Sequence, residues 1–460
     1  MALKNKIPAI LEHIEDSKKL LAHNKVLFDI SEGDLLTYVK IALNDQLGPN
    51  SYEQVLGRIP PINIFKKVVA KLSKLYSEGI SRTPENENDA ELLGEYISAL
   101  SADDLWTENN ENFNSYKALV TELYEDDGEV KSRPIPGHQF LAYGDDPKNP
   151  LRMTVGIKFM GKYGDEERFW LYSDEEFLSI TNEGQIVVDD MADNEGINDF
   201  GVIPFGYKAR SKYLLTPLTD TDMLTMVILI VILMADLNLA MKFLAHPQFY
   251  GIDIDYEQLK REPSSFWNFK SDPASDKTPQ VGVIAPNLDL DSQARWIAQQ
   301  LAMWLDSRNI RPGAIQADAS ADAVASGIAL MIREMDTTED RKAQIPFFVS
   351  AERDYWNILS TMHNKLVGAG RLKEKKKFSS DQINVLTEFP PMSIIEDRDA
   401  KVNRLKIEID AKLKSQRTAI EELNPRWTEE RIEIELEKID GEKPKIVAPI
   451  MPMQDEEDDE

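Results

Sequence analysis

Residues Asp220 to Pro247 read DTDMLTMVILIVILMADLNLAMKFLAHP, and ten of them in a row, Met226 to Ala235, carry no polar side chain. The Val and Ile supply between 227 and 232 suits a buried strand as well as a helix, and periodicity alone does not separate the two. Length and flanks do. Apolar text continues past Asp236 and Asn238 to Leu244, Asp220 or Thr221 offers an N-cap, and His246-Pro247 is a stop. The spacing predicts a helix from about 220 to 245, a rod of roughly 39 Å. Crossing a bilayer takes about 20 consecutive apolar residues. The ten between Thr225 and Asp236 therefore predict a buried segment and no membrane span. A rod apolar nearly all round needs contacts on several sides. One chain of this size, or its neighbours in an oligomer, can supply them.

Outward from this rod, residues 247 to 286 are short, irregular and rich in Pro, Ser, Asp and aromatics, among them Tyr256, Phe266, Trp267 and Phe269. A second helix is expected from about Leu288 to Arg308, with Ile297, Leu301 and Leu305 on one face and a length of roughly 31 Å. Two rods flanking a compact insert predict an antiparallel pair with a small module at its tip. Residues 309 to 325 hold Pro312-Gly313 and then mostly small side chains, which gives them little to bury. From Ser326 a long helix is expected to about Leu366, with Pro346 kinking its middle. Beyond it come a basic patch (Arg371, Lys373, Lys375, Lys376, Lys377), a strand-like Ile383 to Phe389, and helices at about 395 to 422 and 427 to 440. The chain ends on six acids, which read as a disordered tail.

Toward the N-terminus, Ile7 to about Ser101 is helical in period. The first 30 residues interleave Glu12, Glu15 and Asp16 with apolar positions, as an amphipathic helix does and a signal peptide does not. Ile64, Val68, Val69, Leu72 and Leu75 make one face of a helix expected to run from Asn63 until Gly79 stops it. Between about Lys131 and Tyr207 the period falls to two, in runs such as Met153 to Phe159, Glu167 to Tyr172 and Gln185 to Val188. These predict a small antiparallel sheet unit, closed at Gly201 to Phe205, where Pro204 limits a strand to an edge or an end.

The chain has 460 residues, enough for two to four domains. At 42% apolar and 29% charged it is globular, and the expected fold class is α+β, mainly helical. Its 53 Lys+Arg against 80 Asp+Glu leave a net charge of −27. Tight nucleic-acid binding through a basic surface is therefore not expected, since that affinity comes from cations displacing counterions. With no cysteine, disulfides, thiolate metal sites and thiol nucleophiles are excluded, and a reducing compartment fits. The five histidines are far apart and none stands in metal-ligand spacing. Gly156 to Tyr163 has the glycines and lysine of a phosphate loop, but Tyr163 stands where Ser or Thr is needed and the run is strand-like. Neither a dinucleotide fingerprint nor a GxSxG elbow occurs. The acid pairs Asp126-Asp127, Asp145-Asp146 and Asp189-Asp190 lack calcium-loop spacing and read as solvated loops. No cofactor, metal or catalytic residue is expected.

The order of these parts resembles the portal proteins of tailed double-stranded DNA bacteriophages. The resemblance rests on Asn198-Asp199-Phe200-Gly201-Val202-Ile203-Pro204-Phe205, on the helix holding Asp236-Leu237-Asn238, and on the insert and return helix. Ser326-Gly327-Ile328-Ala329-Leu330, opening a long helix, completes it. It covers most of residues 55 to 440. It implies a wing over 1–219, a stem of helices at 220–246 and 287–308, a clip at 247–286 and a tunnel loop at 309–325. A further wing segment at 326–394, wing-end and crown helices at 395–448 and an acidic tail at 449–460 follow. It implies a homo-oligomeric ring of twelve at one capsid vertex, through which double-stranded DNA passes without being read. It further implies contacts with a terminase packaging motor, a head-to-tail adaptor, and major capsid and scaffold proteins, in the virion and, during assembly, the host cytoplasm.

The residues implied are Gln316, Asp318, Ser320 and Asp322 facing DNA in the tunnel loop. Ile228, Ile232, Leu233, Leu237, Ile297, Leu301 and Leu305 would pack between subunits. Tyr256, Phe266, Trp267 and Phe269 would meet motor or adaptor, and Lys375, Lys376 and Lys377 would touch DNA or scaffold. The chain departs from the family in its very aliphatic stem and short C-terminal region, which leaves crown size open. Each feature also has a plainer account. The aliphatic helix suits the core of a single-chain helical domain, the Ala-rich loop a linker, the basic patch a solvated face. A helical metal-dependent hydrolase and a membrane-peripheral scaffold protein are the alternatives.

Overall fold

The computed structural model describes residues 2–46, 53, 55–164, 166–188, 196–211, 214–217, 219–245, 248–252, 280–284, 289–310, 327–374, 376–390, 398–424, 427 and 429–442. The fold is mixed α+β, about 53% helix and 17% strand. The chain divides into two units, residues 1–321 with 333–392, and residues 322–332 with 393–460.

The first unit opens on helices α1 (Ile7–Asp16), α2 (Lys18–Glu32), α3 (Leu35–Gln46) and α4 (Ile64–Leu72). Gly33 ends α2 with φ at 110°, a left-handed cap that glycine adopts at no steric cost. Asn63 caps α4 by accepting from the Phe65 amide at 3.1 Å, and its amide nitrogen donates to the Ile30 carbonyl at 2.7 Å, fixing α4 to the end of α2. The expected run of this helix to Gly79 is corrected: it stops at Leu72. Its end is met by side chains from a later helix, with Gln344 donating to the Leu72 carbonyl and Arg341 to that of Leu75. Leu75 still enters the core, in the turn beyond the helix.

After β1 (Ser81–Pro84) come α5 (Ala90–Ala99) and α6 (Ala102–Tyr116), then the strands β2 (Ala118–Asp126), β3 (Glu129–Pro134), β4 (Phe140–Tyr143), β5 (Val155–Tyr163), β6 (Glu166–Tyr172), β7 (Phe177–Thr181) and β8 (Phe205–Ala209). They form two antiparallel sheets, ordered β3-β2-β8 and β4-β5-β6-β7. β8 begins just after Pro204 and is an edge strand, as a residue without an amide donor requires. The glycine-rich run at 156 to 163 lies within β5. The four-stranded sheet is covered by α1, whose Ile7, Ile10 and Ile14 meet Val155, Ile157, Leu171 and Ile180. The two sheets are joined by a buried pair: Lys158 of β5 donates to Glu122 of β2 at 2.5 Å, and Arg133 takes the other carboxylate oxygen at 2.7 Å.

The apolar rod is α7 (Thr221–Ala245), followed by β9 (Gln248–Ile252), β10 (Gln280–Ile284) and α8 (Leu290–Asp306). The long helix α9 (Gly327–Gly368) is unbroken through Pro346, which sits on its exposed side where a missing amide donor is least costly. Its Phe348, Tyr355, Trp356, Leu359, Met362 and Leu366 form the centre of the largest core, with Trp106 and Phe113 of α6 against them. β11 (Val385–Glu388) pairs with β1.

The second unit contains α10 (Arg398–Asp410), α11 (Gln416–Leu423) and α12 (Glu429–Glu442). The single helix expected at 395 to 422 is thereby corrected to two. Lys412 takes a left-handed φ of 58° and Ser415 caps α11 by accepting from the Thr418 amide at 3.1 Å. Glu422 gathers Arg404 at 2.6 Å and Lys414, and Leu405, Ala419 and Ile432 are buried.

Candidate functional site

The site is the helix pair α7 and α8 with its foot. Arg308, two residues past α8, meets Asp220, one residue before α7, so the two rods run antiparallel. At the other end of the pair, β9 and β10 form an antiparallel hairpin, with Gln248 opposite Ile284 and Ile252 opposite Gln280. The antiparallel pair expected from the sequence is present; of the module expected at its tip only β9 and β10 are shown, and residues 253 to 279 lie outside the described residues. At 25 residues α7 is roughly 38 Å long.

The foot is an ion cluster. Arg308 grips the Asp220 carboxylate with both guanidinium nitrogens, at 2.7 and 3.1 Å, and also reaches Asp222 at 2.6 Å. Lys117, in a left-handed turn between α6 and β2, takes the second Asp220 oxygen at 2.8 Å. Asp220 in turn accepts from the Met223 amide at 3.2 Å as the N-cap of α7. The Trp304 indole donates to Asp222 at 3.3 Å while its ring lies under the Arg308 guanidinium. Burial pushes the Asp220 carboxyl upward, but hydrogen bonds from Arg308 and Lys117 outweigh it and hold the group well below the usual carboxylate range. Burial lowers Lys117 despite that partner. One carboxylate thus joins both rods to the sheet and fixes where residues 309 to 326 leave α8. Ile310, buried, and Asn309, donating to Asp340 at 3.1 Å, secure that exit.

One side of α7 is buried by the chain itself. Met223, Val227, Ile230, Val231 and Ala235 pack with α3 and α4, joined by Leu305 and, partly, Ile297 and Leu301 of α8. Asn238 donates to the Arg58 carbonyl at 3.0 Å. On the far side Leu229 is 42% exposed, beside the exposed Asp222, Thr225 and Asp236; toward the end of the helix Met241 is 51% exposed, and on α8 Trp296 is 51% and Met303 54% exposed. Mean hydropathy over Thr221–Lys242 reaches 2.4, long and apolar enough to cross a membrane by length and composition, with 39% of the stretch buried in the chain.

The expected inter-subunit residues therefore divide. Ile232 and Leu305 are buried within the subunit, and Ile228, Ile297 and Leu301 pack against the same core, so a neighbouring copy has little of them left to cover. Leu233 and Leu237 are half-buried and stay available. Leu229, Met241, Trp296 and Met303 are additions. The sequence signal for Trp296 and Met303 was their seven-residue spacing on the face away from Ile297, Leu301 and Leu305. Gln316, Asp318, Ser320, Asp322, Tyr256, Phe266, Trp267, Phe269 and Lys375 lie outside the described residues.

The basic patch is largely engaged by the chain's own acids. Arg371 pairs with Glu125 and Asp199, Lys373 with Asp127 and Glu129, and Lys376 with Glu91 at 2.5 Å. Lys377 is exposed, its ammonium near Gly368. Among the described residues no group of three or more His, Asp or Glu is arranged to hold a metal ion. No protein-family model matches the chain, and a search of curated proteins returns no match.

Proposed function

We propose that the chain is a portal protein: identical copies form a ring at one capsid vertex through which double-stranded DNA enters and leaves. The observation that carries this is the antiparallel pair α7 and α8, clamped at its foot by Asp220 and Arg308, tipped by a hairpin and leaving Leu229, Met241, Trp296 and Met303 exposed among polar neighbours such as Thr225, Asp236 and Gln299. In a ring each such pair has a neighbour on either side, and these side chains are buried by symmetry. Residues 309 to 325 then face the channel, 247 to 286 meet motor or adaptor, and 395 to 448 form the wing end and crown. Twelve copies at −27 each carry −324 charges. A channel of that sign repels phosphate within a Debye length of about 8 Å, so the duplex slides without sticking. The proposed role is structural, with the energy of packaging coming from a separate ATPase.

Native mass spectrometry of the purified chain tests this. A dominant species at an integral multiple near twelve subunits supports the ring, and a uniform monomer across micromolar concentrations opposes it. The mean hydropathy of α7 favours a second reading, a membrane-peripheral scaffold protein. Flotation with liposomes separates the two, since the ring leaves no apolar face for lipid.

A further inference from the structure

Each rod of the helix pair carries a charge that its own chain leaves unanswered. The acids within α7 are Asp222 and Asp236, and Arg308 already engages Asp222 at 2.6 Å. Asp236 is exposed on the same side as Leu229, with Ile232, Leu233, Leu239 and Ala240 one turn to either side of it. Among the described residues no cation pairs with it, and burial pushes its carboxyl upward with no charge opposing the push. Aspartate is a poor helix former, and in mid-helix it gains nothing from the helix dipole. Its place in the most aliphatic stretch of the chain therefore calls for a partner. On α8 the single basic residue is Arg295, exposed and off the face of Ile297, Leu301 and Leu305. Asp291, one turn before it, does not pair with it, so Arg295 too has no counter-ion among the described residues.

The antiparallel pairing sets these two charges at one level. Counted from the clamp between Asp220 and Arg308, Asp236 stands roughly 24 Å along α7 and Arg295 roughly 20 Å along α8, a difference of less than one helical turn. They do not meet within the chain, although an arginine side chain spans such a difference, because they look out from different sides of the pair. In a ring each copy turns one side to the neighbour before it and another to the neighbour after it, a heterologous contact, and rotation about the axis keeps heights unchanged. The exposed side of α7 then meets the exposed side of α8 with Asp236 and Arg295 at one level. The register is selective as well. A slip of one turn along α8 sets Asp236 against Asp291 in one direction, which repels it, and against the neutral Gln299 in the other.

We propose that Asp236 of one copy pairs with Arg295 of the next, so that copies of this chain meet α7 against α8 and this pair sets their register. The proposal rests on the ring reading and adds to it which faces meet. The test uses the full chain with Asp236→Arg, with Arg295→Asp and with both changes together, each followed by sedimentation velocity over a concentration series. Both positions are exposed, and circular dichroism checks that every variant folds. Either single change sets like charges against each other and should raise the concentration for half-assembly by about tenfold, while the double change should return it to within about threefold of the parent. At a concentration where neither single variant assembles alone, their equimolar mixture should assemble, since each supplies the charge the other lacks. Only a contact between copies gives that rescue. If the parent assembles but the mixture does not, or the single variants assemble like the parent, the pairing is overturned and the ring stands. A parent that stays monomeric removes the ring and the pairing together.

Discussion

Asp220 concentrates the energetics at the foot of the α7–α8 pair, because one carboxylate answers Arg308, Lys117 and the Met223 amide. Asp220→Asn leaves two partly buried cations short of their counter-charge, and we expect a loss of about 3 kcal/mol in unfolding free energy by urea titration. Because its folded pKa is depressed, this contribution is fully present above the ordinary carboxylate range and is lost as pH falls below that range toward the depressed folded value. The variant should therefore unfold more easily than the parent at neutral pH and converge with it in acid. A histidine acts in a different window. His138, half-buried against Phe28, is pushed down to about 4 by burial, with Lys25 adding to it. The unfolded chain takes up that proton near pH 6.5 and the folded one near 4, so stability falls as pH drops through this interval. His138→Gln should flatten the decline in melting temperature between those values, and an unchanged slope would remove His138 from the explanation. Deeper still, Glu352 accepts from Arg82 at 2.6 and 3.1 Å, from Tyr76 at 2.8 Å and from the Trp356 indole. Glu352→Ala leaves Arg82, whose side chain is almost wholly buried, with Asp103 at 2.6 Å as its remaining counter-charge, and should cost about 3 kcal/mol in the same titration.

At the scale of elements, the long helices were legible and the short pieces were not. α7, α8 and α9 begin and end within two residues of where the sequence places them, because Asp220 and Asp289 cap locally and Gly370, with φ of 70°, turns the chain just past α9. β1 has no such signal. Ser81 to Pro84 becomes a strand only because Glu388 to Val385 lies beside it, some 300 residues on. The early end of α4 is set by Gln344 and Arg341, equally remote. The Asp127-Gly128 turn is a different case. Its two positive φ values suit a two-residue hairpin, and the dipeptide itself was a readable sign. Of the α7 and α8 residues, the helical faces were legible, but which face the chain covers was not, since that depends on α3 and α4 packing back on α7. Substitutions on the exposed face follow from this. Leu229→Asp with Trp296→Glu should change monomer stability by less than about 0.5 kcal/mol. By sedimentation velocity it should abolish assembly, and retained assembly would place the interface elsewhere.

For the whole molecule, the proposed ring would give the exposed side chains of α7 and α8 their neighbours and the acidic surface a use. Residues 309 to 325 connect α8 to α9 from an exit fixed by Ile310 and Asn309. Deleting 314 to 322 should leave assembly intact while reducing DNA retained in particles, scored by nuclease-protected DNA. Loss of assembly on that deletion would contradict the channel assignment. The most direct measurement is electron microscopy of the purified chain in negative stain. The account predicts end-on views with rotational symmetry about a stain-filled central hole. A field of single subunits, with α7 and α8 meeting no second copy, would contradict it.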